Sequence, residues 1–183
     1  MASKEVSGRF WAVESSAIVM DNSVTFTVHG EPMALARPKV GTGRRSTQKT
    51  VPYHTYSPSK PYQKLFIAQI QKCLLNTLPI PEGLTKGVVS VDATFHFARP
   101  QSHFQKGGIV KPSFAQPFIT CKKADLDNLA KFLLDCLQGL VIGDDHLVAM
   151  LVCRKVWSDE FVVDNGKCTG CGYTAIRVVA LTR

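Results

Sequence analysis

The sequence predicts an α+β fold, a small mixed β-sheet with two main helices packed on it, and three patterns carry that expectation. Residues 88–97 alternate, with Val89, Val91, Ala93, Phe95 and Phe97 on one side and Ser90, Asp92, Thr94 and His96 on the other, which is the two-residue period of a half-buried strand. Tyr62, Leu65, Phe66, Ile70, Cys73 and Leu74 recur at helical spacing within residues 61–78. A second apolar stripe, at positions 126, 129, 133, 137 and 140, marks another amphipathic helix. Apolar stretches at residues 147–157 and 173–181 read as two further strands joined by a turn region. With 183 residues, 45% of them hydrophobic and 20% charged, the chain has enough material for one domain with a proper core.

Taken in order, residues 1–22 show no clean period and are expected to be an N-terminal extension, a loose or partner-dependent arm in which Phe10 and Trp11 would be costly to expose. Residues 23–183 are expected to form the single folded domain, opening with a strand over residues 24–29. Residues 31–60 are rich in Pro, Gly, Ser, Thr and basic side chains, with Arg37, Lys39, Arg44, Arg45 and Lys49 interleaved with Tyr53, His54 and Tyr56. So long a loop is functional or disordered in most compact domains. A DNA-contacting loop would use the cations on phosphate and the rings on unpaired bases, and a solvated loop is the plain alternative. The helix over residues 61–78 is scaffold. Residues 98–117, with Arg99, Lys106, Lys111, paired glycines and three prolines, read as a second basic loop.

Between Lys122 and Asp145 five aspartates, Asp125, Asp127, Asp135, Asp144 and Asp145, surround the second helix. Asp125 suits its N-cap and Asp127 its first turn, where the macrodipole favours negative charge. Residues two apart on a helix point roughly opposite ways, so the two carboxylates can share an ion only if Asp125 lies at or before the helix start. Lys131 and Asp135 follow Asp127 at four-residue intervals. After Leu140, a turn over Gly143-Asp144-Asp145-His146 precedes the next strand, and a return to the helix start would complete an oxygen cage, although spacing does not establish that return. Taken alone, two acids at a helix start cap it, and Lys131 is an ion-pair partner. Hard carboxylate donors on a basic body nevertheless suit a divalent cation facing a phosphate polymer.

These residues carry a resemblance. Asp125-Leu126-Asp127-Asn128-Leu129-Ala130-Lys131, then Leu134-Asp135-Cys136-Leu137-Gln138-Gly139, then Gly143-Asp144-Asp145-His146 with Val148, resembles in order the signature of RusA-type Holliday junction resolvases. Upstream, residues 26–32 resemble the family's opening strand and G-x-P turn, and Arg37-Pro38-Lys39 its basic segment. The resemblance implies a RusA-like fold and a magnesium-dependent endonuclease, with Mn²⁺ a conceivable substitute, that works as a homodimer and nicks a four-way DNA junction in pairs. It puts Asp125, Asp127 and Asp145 on the catalytic carboxylates, Lys131 on the catalytic lysine, and Asp144 beside them as a further metal ligand. Ala124 departs from the usual Pro or Arg, so the basic role can shift to Lys122 and Lys123; these two, with Arg37, Lys39, Arg44 and Arg45, are the expected DNA contacts.

Charge agrees. With 22 basic and 14 acidic residues the net charge is +8, which fits a nucleic-acid partner. No apolar run reaches the length of about 20 residues that spans a bilayer, and no secretory or transit pattern opens the chain, so an intracellular soluble protein is expected. Of six cysteines, Cys73, Cys121, Cys136 and Cys153 sit in apolar settings as free thiols, while Cys168 and Cys171 have half the spacing of a zinc knuckle without a second half. Asp92 and His146 read as ordinary strand residues rather than ligands. Two other readings stand beside the nuclease: a catalytically silent branched-DNA-binding protein that retains the acids, and a domain that uses them for a structural cation.

Overall fold

The computed structural model describes residues 17–37, 39–41, 54–75, 79–106, 108–119, 124–164 and 167–181. The alternation at residues 88–97 does form a strand, β5 (Val89–Phe97), and it lies inside a five-stranded sheet. Its partners are β9 (Tyr173–Ala180), antiparallel, and β6 (Val148–Trp157), parallel. Beyond β9 come β2 (Ser23–His29) and then β1 (Ala17–Met20), both antiparallel, so the order is β1-β2-β9-β5-β6. The fold is α+β with a mixed sheet, as the periodicities predict.

β1 lies in the stretch read from sequence as a loose arm. Ala17 and Val19 pack against the core from its inner side. Four residues are too few to display a period of their own, so only the pairing with β2 reveals them.

Val24, Phe26 and Val28 of β2, the five apolar positions of β5, and Ile176 and Val178 of β9 face inward and are all but solvent-free. Onto that face pack α1 (Lys60–Leu74), through Ile70 and Cys73, and α3 (Leu126–Leu137), through Leu129, Phe132, Leu133, Cys136 and Leu137. Each such side chain removed from water contributes about 1.5–3 kcal/mol. A short helix, α2 (Glu82–Lys86), plugs Leu84 into the same core. Parallel strands cannot be joined by a tight turn, and α3 is the crossover that makes the β5–β6 pairing possible.

Two ribbons were not evident in the sequence. β3 (Lys39–Gly41) pairs with β4 (His54–Tyr56) inside the stretch read as a loop, and β7 (Phe161–Asp164) pairs with β8 (Lys167–Gly170) in the turn region. The second basic loop holds two 3-10 turns, Gln101–His103 and Pro112–Phe114. Arg99, 4% exposed, is fixed there by bonds from its guanidinium to the Phe114 carbonyl at 2.8 Å and to Asp159 at 3.4 Å.

Candidate active site

Asp125 is the residue before α3, in extended conformation, and its carbonyl accepts the first helical bond from Leu129 N–H at 3.1 Å. It is the N-cap by position, yet its carboxylate makes no capping bond. That leaves the acid turned to solvent beside Asp127 of the first turn. Lys131 Nζ lies 3.3 Å from Asp127 Oδ2, one helical turn on. Both side chains are well exposed, so the pair contributes only a few tenths of a kcal/mol, about 0.3–0.5. Asp135 accepts instead from Gln63 Nε2 of α1 at 3.1 Å, tying the two helices rather than joining the acids.

Two contacts that sequence reasoning missed hold this helix start in place. Lys155 of β6 occupies an inward position of its strand, and its Nζ donates to the Ala124 carbonyl at 2.9 Å. A lysine at the inner phase between Cys153 and Trp157 is the signal that could have found it. On the other side, Leu35 N–H donates to the Asn128 carbonyl at 2.9 Å, and Ala36 N–H to Ser59 Oγ at 2.7 Å. The chain carrying exposed Arg37 thereby lies against the first turn of α3. The side chain of Lys39 and the residues Arg44, Arg45, Lys122 and Lys123 lie outside the described residues.

Asp144 and Asp145 are found at the other end of the same helix. Gln138, the C-terminal flank of α3, donates to Asp144 Oδ2 at 3.1 Å. Gly139, with φ +73°, lets the chain reverse, and its N–H bonds the Ile142 carbonyl at 2.8 Å. From the 3-10 turn Asp145–Leu147, β6 then runs back so that Lys155 reaches the helix start. About 16 Å of helix lies between Asp127 and Gln138, and the strand covers about 23 Å between Val148 and Lys155. Within one chain the turn therefore does not return to the first two aspartates. Among the described residues no group of three or more His, Cys, Asp or Glu side chains is assembled to hold a cation.

The turn is itself well built. Asp144 Oδ1 accepts the backbone N–H of His146 at 3.2 Å and stands 2.8 Å from its ring Nδ1. Those two bonds, with a further one to Asp145, hold the Asp144 carboxyl down at about 2. Gly143 lies against α2, where an added Cβ would collide with the Thr85 carbonyl. Asp92 is held by Arg154, at 2.7 and 3.3 Å, and stands outside the set of acids. Cys73 and Cys136 are buried, the Cys73 thiol donating to the Thr27 carbonyl at 3.5 Å, and burial first, then Asp135, pushes the Cys136 thiol up to about 12. Among the described residues no helix is long and apolar enough to cross a membrane.

The chain is 29% identical over 146 residues to a protein of Bacillus subtilis (strain 168) called uncharacterized protein YqaN, an alignment that covers 75% of this chain and 89% of that one. A family model described as endodeoxyribonuclease RusA matches residues 29–163. That span takes in β5, α1, α3, all the aspartates described above and Lys131, and exceeds half of the chain, so the protein belongs to the RusA endodeoxyribonuclease family.

Proposed function

We propose that the protein is a magnesium-dependent endodeoxyribonuclease that resolves four-way DNA junctions by paired nicking, and that it works as a homodimer. One observation carries the dimer: the acids of one chain sit at opposite ends of α3, with Asp125, Asp127 and Lys131 at its start and Asp144 and Asp145 beyond its finish. All the donors are carboxylate oxygens, the chemistry that suits Mg²⁺ and, less selectively, Mn²⁺. Each pair alone is too small a donor set. A two-fold axis that sets two copies of α3 antiparallel brings the start of one beside the far turn of the other.

β6 supplies a surface for such an arrangement. It is an edge strand, met on its outer side among the described residues only near its end, by Phe118 against Val156. Met150 and Leu151, 55% and 40% exposed, stand in the open stretch. Open apolar edges are liabilities that proteins cover. Antiparallel pairing of β6 with its copy buries both residues around the axis. It also brings Asp145 of one chain toward the Lys155–Ala124–Asp125 end of the other. A closed two-fold dimer matches the two equivalent strands cut in a junction.

Asp125, Asp127 and Asp145 would hold the cation, and Asp144 steadies the turn that presents Asp145. When bound, the cation orients the scissile phosphate, eases loss of a proton from the attacking water and stabilises the leaving oxygen. Lys131, kept near Asp127, sets an ammonium group where negative charge grows on the phosphorus oxygens. Arg37 and the neighbouring basic segment, with Lys39, Arg44, Arg45, Lys122 and Lys123, would grip the flanking phosphates without reading sequence.

A labelled four-way junction tests this. Symmetric nicks with Mg²⁺, absent in EDTA and abolished by Asp127→Asn while junction binding persists, is the expected result. A gel shift without nicks would instead select the silent branched-DNA binder, a reading favoured by the lack of an assembled acidic group among the described residues of one chain.

A further inference from the structure

A lysine on the inner side of a sheet is a costly choice, and β6 has one. Lys155 pairs in register with Phe95, which is 2% exposed, and lies two residues from Trp157 on the same side of its strand. An apolar side chain would fill that position without taking an ammonium group partly out of water. Among the described residues no carboxylate lies within ion-pair range of its Nζ, so no partner acid offsets that cost. The bond that Nζ does make, 2.9 Å to the Ala124 carbonyl, ends one residue before Asp125.

That bond acts on Asp125 through the peptide between them. The Ala124 carbonyl and the Asp125 N–H belong to one rigid plane, so a donor fixed on the carbonyl also restrains the turn of the chain into Asp125. Asp125 has the extended backbone of an N-cap, φ −72° and ψ 136°, and its carbonyl accepts from Leu129 N–H at 3.1 Å. An aspartate so placed ordinarily folds its carboxylate back onto an N–H of the first turn. Here it does not, and the side chain stays exposed. From the other side, Leu35 N–H holds the Asn128 carbonyl at 2.9 Å. The acid is thus left between two anchored points, with its oxygens unbonded among the described residues.

We propose that Lys155 is a positioning residue for Asp125: by anchoring the Ala124 carbonyl it holds the acid out of the capping conformation and keeps its carboxylate free for the cation. The cation rests on reading the protein as a metal-dependent nuclease; the positioning of the acid does not. A carboxylate that caps a helix uses an oxygen on backbone N–H and must give up that bond before it takes a hard cation. Keeping Asp125 uncapped therefore strengthens the hold on the ion. The helix forgoes a cap in return, a loss of stability of the kind that functional positions carry.

Two lysines thus serve the helix start in different ways. Lys131 is exposed, with its ammonium group 3.3 Å from Asp127 and open to a bound phosphate. Lys155 is half-buried on the side of the sheet and reaches the acids only through the peptide that it holds. Loss of Lys155 is therefore read in where Asp125 turns and in cation binding, not in the grip on DNA.

The experiment has two parts. The first melts wild type, Asp125→Ala, Lys155→Met and the double variant in EDTA. In wild type Asp125 caps nothing, so Asp125→Ala should leave the melting temperature unchanged. With Lys155→Met the acid is free to fold onto the first turn, and adding Asp125→Ala should then lower the melting temperature by about 2–4 °C. The second part measures the Mg²⁺ concentration for half-maximal nicking of a labelled junction. It should rise about 10-fold in Lys155→Met, with junction binding and the rate at saturating Mg²⁺ little changed, and return toward wild type in Lys155→Arg, which keeps a donor. An equal effect of Asp125→Ala in both backgrounds overturns the positioning, whatever nicking shows. An unchanged Mg²⁺ requirement in Lys155→Met overturns its link to the cation. Absence of nicking by wild type removes the nuclease reading, and the melting experiment still decides the role of Lys155.

Discussion

Asp144 and Asp145 are neighbours in sequence with opposite surroundings. Asp144 spends one oxygen on the His146 N–H and ring and the other on Gln138. Asp145 stands exposed at the start of the 3-10 turn. Asn at 144 keeps an oxygen for the His146 N–H and loses only orientation, so single-turnover nicking should fall about 10-fold. In the proposed site Asp145→Asn removes a cation donor and should cost about 1,000-fold. Equal losses would make Asp144 a ligand in its own right. A different residue governs acid sensitivity. His103 is buried, stacked on Phe114 at 4.0 Å, with no partner for its Nδ1 among the described residues. Burial, then Arg99 and Lys111, lower its pKa from 6.5. The unfolded chain therefore binds more protons in the window below 6.5, and stability present above that pH is lost as pH falls through the folded value. Melting temperature should drop between pH 7.5 and 5.5, and His103→Phe, which keeps the stack, should flatten that drop. An unchanged slope would shift the cause to His96, which is lowered in the same direction.

At the scale of elements, α3 and the turn after it set the spacing of the acids. Gly143→Ala pushes a methyl group into the Thr85 carbonyl of α2. The turn must move to accept it, so cleavage should fall by about 10-fold or more while the fold, measured by circular dichroism, persists at a lower melting temperature. Cleavage at the wild-type rate would mean that the position of Asp145 does not matter. The same elements explain what could be read beforehand. α3 was legible because its stripe runs over 12 residues, and the acids with Lys131 because they lie within a turn or two of one another. β5 was legible because nine residues keep the two-residue period without a break. β1, the β3–β4 ribbon and β7–β8 are three or four residues long, and such short strands are specified by their partners rather than by a pattern of their own. The end of α3 at which Asp144 and Asp145 stand was not legible because spacing along a chain carries no direction. Only the reversal at Gly139 and the path of β6, fixed by the Lys155–Ala124 bond, reveal at which end of α3 they stand.

For the whole molecule, a net charge of +8 draws the protein to DNA but does not say how two copies meet on it. In the dimer proposed above they meet through the open edge of β6. Met150→Arg puts a charge beside its own copy across a two-fold axis, so sedimentation should report monomers, and junction nicking should vanish with the melting temperature little changed. Dimers that persist would move the interface elsewhere. The most direct measurement mixes two inactive proteins, Asp127→Asn and Asp145→Asn, lets the subunits exchange, and assays nicking of a labelled junction with Mg²⁺. If each site takes its acids from both chains, a mixed dimer holds one site with both defects and one with none. Nicking of a single strand per junction should then reappear in the mixture. A mixture as inactive as either protein alone would contradict the shared site and put all the acids of each centre in one chain.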